Sequence, residues 1–166
     1  MRRVICILFV FLCFAYVGFA QDFSNLKNYS LSAKEDFKKA ESVVLECSKY
    51  LVSHPLSETD LNRLYAVQFI MRWMEGTPDF SFSLDETAVK LSKSNTALLG
   101  IYLGEMSQLA IQNPEMSKDA KQIKLNAITS VLTYCEDSSN SVKLDKELKK
   151  LIDAKNKGKL KEYLKV

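Results

Sequence analysis

The sequence predicts an all-α protein: an antiparallel helical bundle or a short stack of helical hairpins, with five main helices plus a short one. Three observations carry that expectation. Apolar residues recur at three- and four-residue steps through most of the chain, and no segment shows the convincing two-residue alternation of a half-buried strand. Cap-forming Ser, Asp and Asn precede those runs, and Gly or Pro follows them. The connecting stretches are mostly shorter than about eight residues, which favours antiparallel neighbours.

Residues 1–20 stand apart from the rest. Arg2 and Arg3 precede an apolar stretch from Val4 to Val17, and Gly18-Phe19-Ala20 places small residues before a cut at Gln21. This is the three-part layout of a secretory signal peptide, and the apolar run is shorter than the ~20 residues of a membrane span. An uncleaved amino-terminal anchor is the competing reading. A lipidated Cys13 is disfavoured because bulky Phe11 and Leu12 precede it. The expected organisation is a signal peptide over 1–20, a lead-in over 21–31 and one helical domain over 32–166. That domain ends in a lysine-rich helical segment over 138–166. The location expected is periplasmic or secreted, after cleavage near Ala20-Gln21.

The remaining 146 residues suffice for one sizeable core, burying about 68–70% of the unfolded surface. Collagen-like, low-complexity and disulfide-scaffold classes are excluded by only 5 Gly, 3 Pro and 4 Cys. Without the two leader arginines the balance falls from 23 basic against 20 acidic to 21 against 20. No strong overall field for nucleic acid or membranes remains.

The elements follow in order. Ser32-Ala-Lys-Glu35 reads as a capping box opening a helix whose apolar face is Phe37, Ala40, Val44, Cys47 and Leu51. Ser53-His54-Pro55 stops it. Ser57-Glu-Thr-Asp60 opens the second helix, whose apolar residues (Leu61, Leu64, Tyr65, Val67, Phe69, Ile70, Met71, Trp73, Met74) wrap almost round the cylinder. That pattern predicts a central helix, buried on more than one side. Gly76-Thr77-Pro78 ends it, and an aromatic loop, Asp79-Phe-Ser-Phe82, follows. Ser83-Leu-Asp-Glu86 starts a short helix to about Ser92. Asn95 caps the next, which carries Leu98, Leu99, Ile101, Tyr102, Leu103, Met106, Leu109 and Ile111. Asn113-Pro114-Glu115 closes that helix and opens another running to about Glu136. A polar hinge, Asp137–Ser141, leads to Leu144, Leu148, Leu151 and Ile152, and Gly158 breaks that helix before a last turn.

Chemistry-bearing constellations are sparse. A single histidine, His54, abuts Pro55 at a helix end, where an imidazole caps carbonyls more readily than it serves a nucleophile. One His, two distant Cys and no dense carboxylate loop build neither a zinc nor an EF-hand site. No phosphate loop, nucleophile elbow or dinucleotide fingerprint is present, so no catalytic residue, metal or cofactor is assigned. Glu75, Asp79, Asp85 and Glu86 cluster at the Gly76 loop, chiefly as helix-end acids. Cys47 and Cys135 can pair in an oxidising compartment, closing a loop worth about 4–5 kcal/mol in the chain-entropy model, or remain two buried thiols.

Trp73, Phe80 and Phe82 beside the Gly76 loop are candidates for a pocket or partner surface. Gly100 and Gly104, one turn apart, each cost a helix about 1 kcal/mol against alanine. Close approach of a neighbouring helix is the first explanation, and a ligand groove the second. From Ser138 the chain holds nine lysines against four acids. An apolar stripe of leucines accompanies them, and it either packs on the domain or makes weak contact with an anionic membrane surface. The segment has no arginine and a single aromatic, Tyr163, which argues against nucleic acid.

The stretches Gly76-Thr-Pro-Asp-Phe-Ser-Phe-Ser-Leu-Asp-Glu86, Leu98-Leu-Gly-Ile-Tyr102 and Val142-Lys-Leu-Asp-Lys-Glu-Leu-Lys-Lys150 resemble small exported helical proteins of Bacteroidota that lack an assigned function. The resemblance implies export and helical class, and carries no site residues with it. The first functional expectation is therefore a non-catalytic protein-interaction module whose partner is another envelope or secreted protein. The alternatives are a carrier with an apolar cavity between the Trp73 and Gly100/Gly104 helices, and an enzyme with carboxylates near the Gly76 loop.

Overall fold

A computed structural model describes residues 22–166, and the leader expected over 1–20 lies outside the described residues. The described chain is all helical. Its α-helices are α1 (Lys34–Ser53), α2 (Leu61–Gly76), α3 (Glu86–Ser94), α4 (Thr96–Gln112), α5 (Ala120–Glu136), α6 (Lys146–Asn156) and the single-turn α7 (Leu160–Leu164). Short 3-10 turns at Ser24–Asn28, Met116–Lys118 and Ser138–Asn140 complete it. The helical bundle anticipated from periodicity is thus present, with the terminal turn after Gly158 as a seventh helix.

Side-chain caps set most helix starts. Asp60, Asp85, Asn95, Asp119 and Asp145 each accept a bond from an amide of the first turn that has no partner within the helix. Three starts depart from expectation: Asp60 rather than Ser57 caps α2, Asp85 rather than Ser83 caps α3, and α1 differs too. Its amino-terminal cap is Ala33, and Asp36 rather than Glu35 reaches back, accepting from the Ser32 and Ala33 amides at 3.2 and 3.0 Å. The segment after Pro114 also differs. A 3-10 turn intervenes, and α5 starts only where Asp119 takes the Lys121 and Gln122 amides.

The central helix is α4, not α2. Helix α4 packs against α1, α2, α3 and α5, and both its leucine face and the opposite side, including Gly104 and Ser107, are buried. Helix α2 lies against α1, α4 and the amino-terminal segment, burying Ala66, Phe69, Ile70 and Trp73. The apolar residues that wrap round α2 therefore do not all enter the core.

Two polar devices close the end of α1. Arg63, buried on α2, donates through Nη2 to the carbonyls of Leu51, His54 and Pro55 at 3.1, 2.8 and 3.2 Å. The Tyr134 hydroxyl also donates to the His54 carbonyl, at 2.8 Å. His54 stacks on Tyr50 with ring centroids 4.0 Å apart, its Nδ1 3.0 Å from the Tyr50 carbonyl. The lone histidine is thus part of a helix cap.

Both ends of the described chain are anchored. Phe23 is buried edge-on against Tyr50, its amide donating to Asn62 Oδ1 at 3.1 Å. Arg72 holds the carbonyls of Leu26 and Tyr29. At the other end Leu148, Leu151, Leu160 and Leu164 enter the core. The leucine stripe of the lysine-rich segment thus packs on the domain. Lys155 pairs with Glu136 of α5, and Lys90 of α3 reaches Glu147 of α6 at 3.6 Å, so acids and lysines meet across helix boundaries.

Candidate functional site

The outward face of α2 is apolar. Leu61 is 62% exposed, Leu64 49% and Met71 42%. With Gln68 and Glu75, also exposed, these residues follow steps of three, four, three and four, the spacing of a seam that packs against another helix. The face opposite holds Ala66, Phe69, Ile70 and Trp73. A single helix of this fold thus has an apolar side in the core and a narrower one facing water.

The seam runs into a cleft at the end of α2. Met71, Met74, Phe80, Phe82, Leu84 and Leu103 supply its apolar walls, Glu75 stands among its polar residues, and its volume is about 380 Å3. Leu84, just before α3, is 56% exposed. The loop that forms the far wall is held by Trp73. The indole is fully buried and donates from Nε1 to the Phe37 carbonyl at 3.0 Å. Phe80 and Phe82 tilt against it with centroids 5.8 and 5.9 Å away, and their own centroids lie 6.4 Å apart. Gly76 admits the Phe37 ring: a β-carbon there would lie 2.4 Å from Phe37 Cζ. Large rings thus pin the loop to the core from below, while thioethers and Leu84 present deformable apolar surface above.

The structure divides the residues that sequence reasoning brought together. Phe80 and Phe82 line the cleft, whereas Trp73 supports it from beneath. Gly100 and Gly104 serve helix packing. A β-carbon on Gly100 would stand 2.5 Å from Val67 Cγ2, and one on Gly104 would meet Ser48 and Leu51 at 3.3–3.4 Å. The Ser48 hydroxyl lies 3.0 Å from the Gly104 carbonyl. The space between α2 and α4 at Gly100 is therefore filled by Val67 rather than open to an apolar ligand.

Cys47 and Cys135 are not bonded: both are buried free thiols, on α1 and α5 respectively. Each of those helices packs on α4, and burial pushes both thiols up to about 12. The disulfide held open by the sequence is absent because the two residues serve as small apolar core side chains in different helices.

Three of the four carboxylates near Gly76 have structural partners, and the fourth, Glu75, lines the cleft. Asp79 pairs with Lys34 at 3.3 Å, and Glu86 with Lys90 at 3.3 Å. Asp85 caps α3 and pairs with Lys124. Burial raises the Asp85 carboxyl, but the Lys124 ammonium and the Thr87 amide outweigh it, and the group sits below the ordinary carboxylate range. Among the described residues no group of three or more His, Cys, Asp or Glu is placed to hold a metal ion, and no helix is long and apolar enough to cross a membrane.

Sequence reasoning missed the exposed side of α2 and the parts that Met71, Met74 and Leu84 play. The signal was present in the spacing of Leu61, Leu64, Gln68 and Met71, but it was absorbed into a reading of all-round burial. Comparison of the chain with protein-family models, curated proteins and solved structures gives no match.

Proposed function

We propose that this protein is an exported, non-catalytic interaction module that docks an amphipathic helix of an envelope or secreted protein along α2, with an apolar anchor of that helix in the Met71–Leu84 cleft. The observation that carries the reading is the water-facing seam of Leu61, Leu64 and Met71. Exposed apolar groups arranged at helical spacing and leading into a cleft suit helix-in-groove recognition. Export rests on the layout of residues 1–20, and its check is amino-terminal sequencing, which should begin at Gln21.

The test is a paired substitution, Leu64→Glu with Met71→Glu. Both side chains face water, so the melting temperature should change little, whereas two buried carboxylates at the interface should weaken partner capture by about 100-fold or more. Crosslinking in the native host, with a photoreactive residue at Gln68, should give one dominant adduct that the double variant loses. An adduct that survives the double variant would overturn the reading. So would co-purifying lipid-like mass in native mass spectrometry that the double variant abolishes, because the cleft would then be a carrier site.

A further inference from the structure

A second cleft, of about 430 Å3, lies between the carboxy-terminal end of α1, the middle of α4 and the last turns of α5. Two carboxylates line it: Asp137, which is exposed at the rim and takes the Ser139 amide, and Glu105, which sets the chemistry of the interior. Glu105 projects from the central helix and is only 6% exposed, although it lines the cleft. Burial pushes its carboxyl above the ordinary range, and the one group that acts against this is the Ser130 hydroxyl. A carboxylate so placed costs several kcal/mol unless a cation or further donors meet it, and the described ion pairs bring no lysine or arginine to it.

The cleft has acceptors in plenty and few donors. The Thr129 hydroxyl donates to the Leu125 carbonyl at 2.7 Å, and Thr133 to the Thr129 carbonyl at 3.0 Å. Tyr134 gives its proton to the His54 carbonyl and Asn140 its amide to the Tyr134 carbonyl. With those protons directed into the helices, what these oxygens retain for a visitor is lone pairs. One is already used in that way: Lys155 Nζ lies 3.0 Å from Thr133 Oγ1.

We propose that this cleft binds a small organic primary ammonium, with the Glu105 carboxylate as counter-ion and the Thr129 hydroxyl accepting a second of its protons. An ammonium has three donors and no acceptor, the complement of these walls. A divalent metal does not fit as well, since one interior carboxylate and neutral hydroxyls are a poor ligand set for it. Val52 supplies apolar wall for a short alkyl chain. This inference is independent of the α2 surface.

The experiment is an amide chemical-shift titration of the whole protein with butylammonium, and with n-butanol as the uncharged match. Saturable shifts at Glu105 and Ser130 are expected for the amine and not for the alcohol. Glu105→Gln, which keeps the shape and removes the charge, should weaken binding by about ten-fold or more. Thr129→Val leaves the carboxyl in place and should weaken it by about three-fold, so the proposal stays testable if the glutamine variant folds poorly. No saturable shift at these residues, equal response to butanol, or undiminished binding in a folded variant would each overturn it.

Discussion

Gly100 illustrates how little room the bundle leaves at a single β-carbon. Replacing glycine by alanine inside a helix ordinarily favours the helix by about 1 kcal/mol. Here the added methyl would stand 2.5 Å from Val67 Cγ2, and overpacking of this kind costs about 1–3 kcal/mol. Gly100→Ala is therefore expected to lose the helix gain and to destabilise the protein by up to about 2 kcal/mol in urea unfolding. Adding Val67→Ala should recover part of that loss, a coupling that a double-mutant cycle measures. Gly104 differs, since its nearest neighbours stand at 3.3–3.4 Å, a gap that a shift of a few tenths of an ångström relieves. The sequence announced that both glycines needed a reason. It could not say which helix pressed on which, because that depends on pairing between residues such as Val67 and Gly100, far apart in the chain. The buried carboxyl of Glu105 was silent for the same reason: an acid within a helical run looks like a solvated one until its neighbours are known.

At the level of the helix, most starting points were readable because capping is local chemistry. Asn95 and Gly158 fell where side chain or backbone preference placed them, whereas Asp60 caps α2 in place of Ser57; Gly158 adopts φ +68°, which favours glycine. The exceptions are near misses of the same kind, such as Asp36 reaching back in place of Glu35. Asp119 shows the energetic weight of one cap. Its Oδ1 takes the Lys121 and Gln122 amides at 3.0 and 3.1 Å, so Asp119→Ala should lower stability by about 1 kcal/mol, read as a lower denaturation midpoint with an unchanged m-value. Burial was harder to read than extent. Helices α2 and α4 are both apolar over much of their circumference, and periodicity alone does not distinguish a helix surrounded by its own fold from one that keeps a face for something else. The polar residues discriminate in hindsight: α2 sets Gln68 and Glu75 in line with its outward leucines, whereas Glu105 and Ser107 of α4 are buried with the rest.

Taken whole, the molecule holds two thiols and a tyrosine of its core in their neutral forms, and this fixes its response to alkali. Cys47 and Cys135 are raised from 9.0 to about 12, and the buried Tyr102 hydroxyl is raised as well, chiefly by desolvation. An unfolded chain sheds the thiol protons near the ordinary value, whereas the native state holds them. The native state thus binds more protons between the two values, and stability falls as pH rises through that window. Denaturation midpoints should be level from pH 7 to the ordinary thiol value and decline above it. Cys47→Ala with Cys135→Ala should lessen the decline, even though each substitution also removes a little core volume. A decline of equal steepness in that double variant would place the alkaline sensitivity elsewhere, for instance at Tyr102.

The α7 turn has a bearing on how the bundle closes. Leu160 and Leu164 are part of the hydrophobic core, and the Leu164 carbonyl accepts from Lys124 Nζ on α5. Side chains far along the chain from α4 are therefore among those needed to seal the interior. Until that stretch folds back onto α5 and α6, its leucine-lined seat on the bundle stays open, and docking of α7 sets the lid of the box.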